Sequence, residues 1–286
     1  MAKRRVARSL IFLLLLASAH AGIAQAYAGF DRNNYPGDEL LPALRKDFNY
    51  TSYWLNNPPG ETANSWAGKR DLLKQNGFGF LVLFNGRLDA QLKGQHAAAL
   101  GAADGKAAVA AALREGFAPN VLIFLDQEEG GRLLPEQSAY VFAWIDAVRA
   151  AGARAGVYCS GIKVPDGNGT ISTAQYIIDM EENRAQKRSK AKSPEGRLAL
   201  WLALDECPPS PGCTLEQPGK IALDPDEPAF IAAWQYAQSP RRAQFSDECP
   251  ANAAPDGKCY APGLPQNANT FVDLDTADSP DPSETP

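Results

Sequence analysis

Eight short apolar segments, most of them followed by a stretch of helical character, constrain the fold of this chain more than any other feature. Strands that alternate with helices are typical of parallel βα units, and eight strands are the number that closes a TIM-type barrel. We therefore predict an α/β fold, a single-domain (β/α)8 barrel. The predicted strands are Tyr27–Arg32, Tyr50–Leu55, Gly79–Asn85, Val121–Glu128, Arg154–Ser160, Leu198–Asp205, Ala229–Tyr236 and Thr270–Leu274, and the predicted helices are Ala63–Asn76, Ala97–Glu115, Pro135–Ala151 and Thr173–Arg188.

The helical signal is uneven along this barrel. It is weak or missing after the sixth and seventh strands, where Pro-rich stretches take its place. Within Ala97–Glu115, Gly101 and Gly105 lower the helix propensity, and we expect them to break that helix into two pieces. The barrel is predicted to span residues 27–277, and the acidic, Pro-rich residues 278–286 are expected to be disordered.

Residues 1–26 have the three-part pattern of a secretory signal peptide. Basic residues precede an apolar segment, Leu10–Ala19, that is too short to span a bilayer, and small residues suited to cleavage follow it. Removing this segment lowers the formal net charge from −5 to −9, because it holds four basic residues and no acidic ones. We expect an exported monomer, secreted or held in the periplasm or cell envelope, that binds neither nucleic acid nor, after signal removal, the membrane.

Four of the five cysteines bound two Pro-rich loops. Cys207 and Cys213 enclose CPPSPGC, and Cys249 and Cys259 enclose CPANAAPDGKC. In an oxidising compartment this spacing favours one disulfide within each loop, while zinc is the alternative for four cysteines, although neither pair has CxxC spacing. Cys159 lies in the apolar segment AGVYCSG, where we expect a buried, unreactive thiol.

Histidine is almost absent, which narrows the available chemistry. Of the two histidines, His20 leaves with the signal, and His96 lies in an Ala/Gly-rich stretch with no GxSxG motif elsewhere to partner it. A His-rich metal centre is excluded, and we expect neither a metal nor a cofactor. A carboxylate-bound metal hydrolase remains as an alternative. Acid–base chemistry in this chain is therefore expected to use Asp and Glu.

Acidic side chains stand at the ends of several predicted strands, where TIM-type barrels assemble their active sites. Because side chains at positions i and i+2 of a strand share a face, Asp126 and Glu128 are expected side by side, about 6–7 Å apart along the strand. The first and eighth strands are adjacent in a closed barrel, so their acids are expected to join this pair. The acids at strand ends are Asp31, Asp126, Glu128, Asp205, Asp273 and Asp275.

Such a cluster suits the hydrolysis of glycosidic bonds. This reaction needs one protonated carboxyl that donates to the leaving oxygen and one ionised group that stabilises the oxocarbenium-like transition state. Closely spaced carboxyls above an apolar floor raise the pKa of one member, because both cannot ionise comfortably in a low-dielectric site. No histidine or metal is required.

Short motifs in a characteristic order extend this interpretation from Gly29 to Asp275. They are GFD, FLDQE, GVYCSG, LWLA, WQY and VDLD, on the first, fourth, fifth, sixth, seventh and eighth predicted strands. In order and spacing the chain resembles the family 25 glycoside hydrolases, which are peptidoglycan-cleaving N-acetylmuramidases. It is equally similar to the related exported bacterial glycoside hydrolase-like domains of unknown function. It departs from the family 25 pattern after GFD, where RNNYPG follows.

The resemblance implies a catalytic role for four residues. Glu128, the glutamate of the family's DxE motif, would be the proton donor. Asp126 would either orient the substrate's 2-acetamido group or serve as the second carboxylate. Asp31 and Asp273 would line the floor of the site and contact the sugar.

The resemblance also implies three substrate-binding residues. Tyr158 would shape the pocket and hydrogen-bond near the reaction centre. Trp201 and Trp234 are candidates for sugar stacking, with packing inside the barrel as the alternative for each. The expected function is an exported glycoside hydrolase acting on an amino-sugar polymer such as peptidoglycan. The alternative is a glycan- or cell-wall-binding barrel of the same fold with little or no activity.

Overall fold

A closed eight-stranded barrel forms the body of the protein in the computed structural model. The structure describes residues 26–188, 196–216, 218, 219, 221, 223, 228–242, 249, 254, 256–261, 264 and 270–284, so the predicted signal peptide lies outside it except for Ala26. The barrel strands are β1 (Tyr27–Asp31), β2 (Tyr50–Trp54), β3 (Gly79–Asn85), β4 (Leu122–Gln127), β5 (Arg154–Ser160), β8 (Leu198–Ala203), β9 (Ala229–Ala237) and β10 (Asp273–Ala277), and β6 (Val164–Asp166) and β7 (Gly169–Ile171) form a separate hairpin.

The predicted barrel is confirmed, with one strand running against the others. The order around the barrel is β1-β10-β9-β8-β5-β4-β3-β2, and β10 pairs antiparallel with both of its neighbours. The predicted eighth strand, Thr270–Leu274, is therefore shifted and reversed. As a result, Asp273 reaches the mouth of the barrel from the start of β10, opposite Asp31 at the end of β1, and not from the end of a parallel strand.

Six α-helices are found among the described residues. The long helices α4 and α5 pack against each other. As predicted, the described residues between β8 and β9 and between β9 and β10 contain no helix. Their bounds are α1 (Leu41–Leu44), α2 (Arg70–Gln75), α3 (Asp89–Leu92), α4 (Ala97–Arg114), α5 (Pro135–Ala150) and α6 (Thr173–Arg188). No helix in the described part of the chain is long and apolar enough to cross a membrane.

The expected break in α4 does not occur, because its glycines serve helix packing. A Cβ at Gly101 would lie 2.2 Å from the Tyr140 carbonyl oxygen on α5, and one at Gly105 would lie 2.8 Å from the Trp144 carbonyl oxygen. The two helices approach more closely than any larger residue permits. Their tight packing outweighs the low helix propensity of glycine.

The chain continues beyond β10 under the opposite end of the barrel. Because β10 is antiparallel, it ends where the parallel strands begin. There Ser283 donates its N–H to the Phe80 carbonyl and accepts from the Val82 N–H through Oγ and from the Leu122 N–H through its carbonyl. Residues 278–284, for which the composition predicted disorder, thus follow a defined path that hydrogen-bonds the first residues of β3 and β4.

The disulfides join the two Pro-rich loops to each other. The pairs are Cys207–Cys249 and Cys213–Cys259, so the expected pairing within each loop is wrong. The loops after β8 and β9 leave adjacent strands at the same end of the barrel, which brings their cysteines together across the mouth. Cys159 is buried on β5 as predicted, and burial raises the pKa of its thiol to about 12.

Candidate active site

A small cleft opens at the mouth of the barrel, at the carboxyl ends of its parallel strands. Its cavity measures about 40 Å³. The four predicted catalytic acids all line it, together with Tyr158 and Trp201. The remaining lining residues are Asn33, Trp54, Leu83 and Gln238.

The deepest part of the cluster is a pair of carboxyls from β1 and β10. Asp275 is fully buried and accepts a hydrogen bond from the Trp201 indole N–H at 2.9 Å. Its other oxygen meets Asp31 and has no donor from the described residues unless one of the two carboxyls is protonated. Burial raises the pKa of Asp31 to about 6 and that of Asp275 well above its ordinary value, so the pair retains a proton far above pH 4.

The Gln235 side chain on β9 forms hydrogen bonds with three residues of the cluster. It is buried, it accepts from the Tyr158 hydroxyl at 2.9 Å, and it donates to Asp31 at 2.8 Å and to Asp273 at 3.3 Å. An amide can do this because it presents an acceptor on one side and donors on the other. Gln235 thereby orients three of the predicted site residues, and its hydrogen bond lowers the pKa of Asp31 against the larger effect of burial.

Asp126 and Glu128 stand at the boundary between this floor and the solvent. Asp126 is buried at the end of β4, and its Oδ1 has no hydrogen-bond partner among the described residues. Burial raises the pKa of Asp126 well above its usual range, and Glu128 and Asp31 raise it further. Glu128 is exposed at the rim, yet the surrounding protein desolvates its carboxyl enough to raise its pKa, an effect that Arg242 opposes and Glu129 reinforces.

Asp273 holds the segment that follows β9. One oxygen accepts from the Ser239 backbone N–H at 2.5 Å, while the other accepts from Gln235. This segment carries Arg242, which hydrogen-bonds Gln238 and lies 3.8 Å from Asp205. Burial is the main reason that the pKa of Asp273 is well above its ordinary value, and Asp31 adds to it. Asp273 therefore positions the wall of the cleft.

The three aromatic residues expected to bind sugar differ in placement. Tyr158 lines the cleft with its hydroxyl on Gln235. Trp201 is fully buried against the Phe124 ring at 5.8 Å, so it packs in the barrel and offers no exposed face for stacking. Trp234 follows the packing alternative: because Gln235 points inward, its neighbour on the strand points to the outer side and donates to the Leu204 carbonyl.

Several residues of the site were missed by the sequence prediction. Gln235 lies within the WQY motif, where strand alternation allows only one of Trp234 and Gln235 to face inward. Asp275 was noted only as an acid at a strand end. Arg242 had no signal, because its contribution depends on a loop whose position the disulfides and Asp273 set.

The fold and this cleft define the class: an eight-stranded barrel of α/β type with a cluster of carboxyl groups at its mouth. In the described part of the chain, no group of three or more His, Cys, Asp or Glu side chains is arranged to hold a metal ion. A family model described as "Rv2525c-like, glycoside hydrolase-like domain" matches residues 52–206, more than half of the chain. The chain therefore belongs to this family, and the resemblance inferred from its motifs is confirmed.

Comparison with solved structures found similar chains. An uncharacterised protein of B. stearothermophilus is 19% identical, with a TM-score of 0.55 over 88% of this chain and 95% of its own. The Tat-secreted protein Rv2525c of Mycobacterium tuberculosis, in complex with HEPES, is 9% identical, with a TM-score of 0.47 over 92% of this chain and all of its own. A family 25 glycosyl hydrolase from Bacillus anthracis is 13% identical, with a TM-score of 0.44 and 88% coverage of each chain. Comparison with curated proteins gave no match.

Proposed function

We propose that this protein is a glycoside hydrolase that cleaves an amino-sugar polymer, with peptidoglycan as the polymer and Glu128 as the proton donor. The observation that carries the proposal is the pairing of Glu128 with Asp126 in one cleft. Both carboxyls have raised pKa values, one at the solvent boundary and one buried. Glycoside hydrolysis requires a protonated acid beside a second carboxyl, and this pair supplies both.

The proposed mechanism begins with a proton held at Glu128, which donates it to the glycosidic oxygen as the bond to the anomeric carbon breaks. Positive charge then develops on the sugar ring, and the carboxyls of Asp126 and Asp31 stabilise it. A water molecule adds to the anomeric carbon, and either the carboxylate left at Glu128 or that of Asp126 takes its proton, which completes the hydrolysis. Asp126 Oδ1, buried without a partner among the described residues, is suited to accept the N–H of a 2-acetamido group. That orphan acceptor is the reason to favour an amino sugar.

A reducing-end assay on purified peptidoglycan and on chitin-type oligomers tests this function. Wild type is expected to release reducing ends, and Glu128→Gln is expected to release few. The matched control is Glu129→Gln, because glutamine retains the acceptor that Glu129 offers to the Asp89 N–H and the Gln137 amide. This variant is expected to release reducing ends, with a pH profile shifted to lower pH, because Glu129 helps to raise the pKa of Glu128. Equal release by wild type and Glu128→Gln refutes the catalytic role.

A second candidate, a glycan-binding barrel with little or no turnover, is favoured by the size of the cleft. A cavity of about 40 Å³ is well below the roughly 300 Å³ at which ligand pockets begin, so a sugar ring cannot reach the carboxyls unless the cleft opens, and catalysis needs that contact more than binding at the rim does. Binding of oligomers by wild type without release of reducing ends from either substrate selects this candidate.

The proposal includes export of a monomer to the cell envelope or beyond. The two disulfides support it, since disulfides persist in oxidising compartments. Fractionation of cells followed by blotting tests the location, and light scattering of the purified protein tests the oligomeric state. A cytoplasmic protein with free thiols at these four positions contradicts export.

A further inference from the structure

A second cavity, of about 150 Å³, adjoins the cleft on the side of β3. Asp126 and Glu128 line both cavities, so Glu128 stands between them. A proton donor must touch the oxygen that joins two sugars. Under the proposed function, the sugar on which charge develops lies against Asp31 and Tyr158 in the first cavity, which leaves the second cavity for the departing sugar. Its other main lining residues are Asn85, Arg87, Leu88 and Gln91.

Arg87 is the most strongly oriented polar group of the second cavity. Its Nε and Nη2 donate to the two oxygens of Asp104 at 2.6 and 3.0 Å, and the Tyr140 hydroxyl donates to the same carboxylate at 2.8 Å. Asp104 raises the pKa of Arg87 above its ordinary value. Besides Asp104 and Tyr140, no described residue accepts a hydrogen bond from the Arg87 side chain, so Nη1 retains N–H donors for a ligand in the cavity that Arg87 lines.

The charge of this cavity is balanced. Asp104 neutralises the guanidinium, while Asp126 and Glu128 at the shared wall add negative potential when ionised. The cavity therefore offers N–H donors without net positive charge. A hydroxyl or an acetamido carbonyl can accept hydrogen bonds from these donors. A carboxylate is repelled by Asp126 and Glu128, and Arg87 does not offset this repulsion because Asp104 already neutralises its charge.

We propose that the second cavity binds the sugar on the leaving-group side of the scissile bond and that the Arg87–Asp104 pair selects a neutral sugar over one that carries a carboxylate. The assignment of the leaving-group side rests on the proposed function. The selectivity itself is a property of binding and does not require turnover.

Calorimetry with a non-hydrolysable, thio-linked tetramer of N-acetylglucosamine and with the same tetramer oxidised to a carboxylate at each C6 tests this proposal. Wild type is expected to bind the neutral tetramer about tenfold more tightly. Asp104→Asn keeps the shape of the side chain but leaves the positive charge of Arg87 without its neutralising partner. The preference for the neutral tetramer over the oxidised one is therefore expected to fall about fivefold. Arg87→Gln is expected to weaken binding of the neutral tetramer.

Asp166→Asn is the matched control. Asp166 forms a similar two-point pair with Arg132, and neither residue lines either cavity, so the ratio is expected to stay at the wild-type value. A folded Asp104→Asn protein with the wild-type ratio overturns the proposal, as does equal binding of both tetramers by wild type. If the expected ratios appear in a protein that releases no reducing ends, the selectivity stands and the hydrolase proposal fails.

Discussion

Replacing Asp31 with asparagine is expected to stabilise the protein at neutral pH. Burial raises the pKa of Asp31 from 3.8 to about 6, so ionising this carboxyl in the folded protein costs free energy that ionising it in the unfolded chain does not. A shift of roughly two units corresponds to about 3 kcal/mol. Asparagine fits the site, since its oxygen can accept from Gln235 and its amide can donate to the unpaired oxygen of Asp275.

The sign of the pH dependence follows from proton binding. Between pH 4 and 6 the folded wild type binds the Asp31 proton more tightly than the unfolded chain, so its stability falls as the pH rises through that window. The advantage of Asp31→Asn is therefore near zero at pH 4 and reaches about 3 kcal/mol above pH 6.

Urea unfolding of both proteins at closely spaced pH values from 4 to 8 measures this difference. Asp38→Asn is the control, because Asp38 is exposed and its hydrogen bond with Lys69 lowers its pKa, which reverses the sign. The reasoning is refuted if Asp31→Asn is no more stable than wild type at pH 7, or if its advantage is the same at pH 4 as at pH 7.

Three further substitutions test the packing and hydrogen bonds that hold the site. Gln235→Leu removes the buried amide between Asp31 and Tyr158 and is expected to cost about 3 kcal/mol in urea unfolding at pH 7; no loss would contradict its bridging role. Replacing Cys207 and Cys249 with serine opens a link across a sequence separation of 42 and is expected to cost about 4 kcal/mol, measured by thermal unfolding against the oxidised wild type. Gly101→Ala places a Cβ 2.2 Å from a backbone oxygen and is expected to cost at least about 1 kcal/mol in urea unfolding, whereas a stabilised protein would show that α4 can shift.

The barrel was predictable because its signal is local. Several of the short apolar segments end in acidic residues that the sequence shows directly. Alternation at the end of β4 predicted that Asp126 and Glu128 share a face, and both line one cleft. The direction of β10 was not predictable, since a short strand has the same pattern in either direction. Only its pairing with β1 and β9 reveals that Asp273 begins the strand.

Interactions between distant segments account for the rest. Pairing of cysteines within each loop is the natural expectation from sequence spacing, but the adjacent ends of β8 and β9 bring the two loops together. The acidic tail has a composition typical of disorder, yet Ser283 finds backbone partners at the start of β3 and β4. The sequence left both sugar stacking and packing open for Trp234, because both faces of β9 are largely apolar, which hides the phase of alternation that turns Gln235 inward.

The most direct test of the account compares two leaving groups in wild type and Glu128→Gln. General acid catalysis contributes about a hundredfold or more when the leaving group is a sugar, and less when it is a nitrophenol that departs without a proton. Glu128→Gln is expected to lower the rate on an N-acetylglucosamine oligomer by at least about a hundredfold, but to lower the rate on the matching 4-nitrophenyl glycoside by a much smaller factor. Equal losses on both substrates, or no loss on the oligomer, would contradict the assignment of Glu128 as the proton donor.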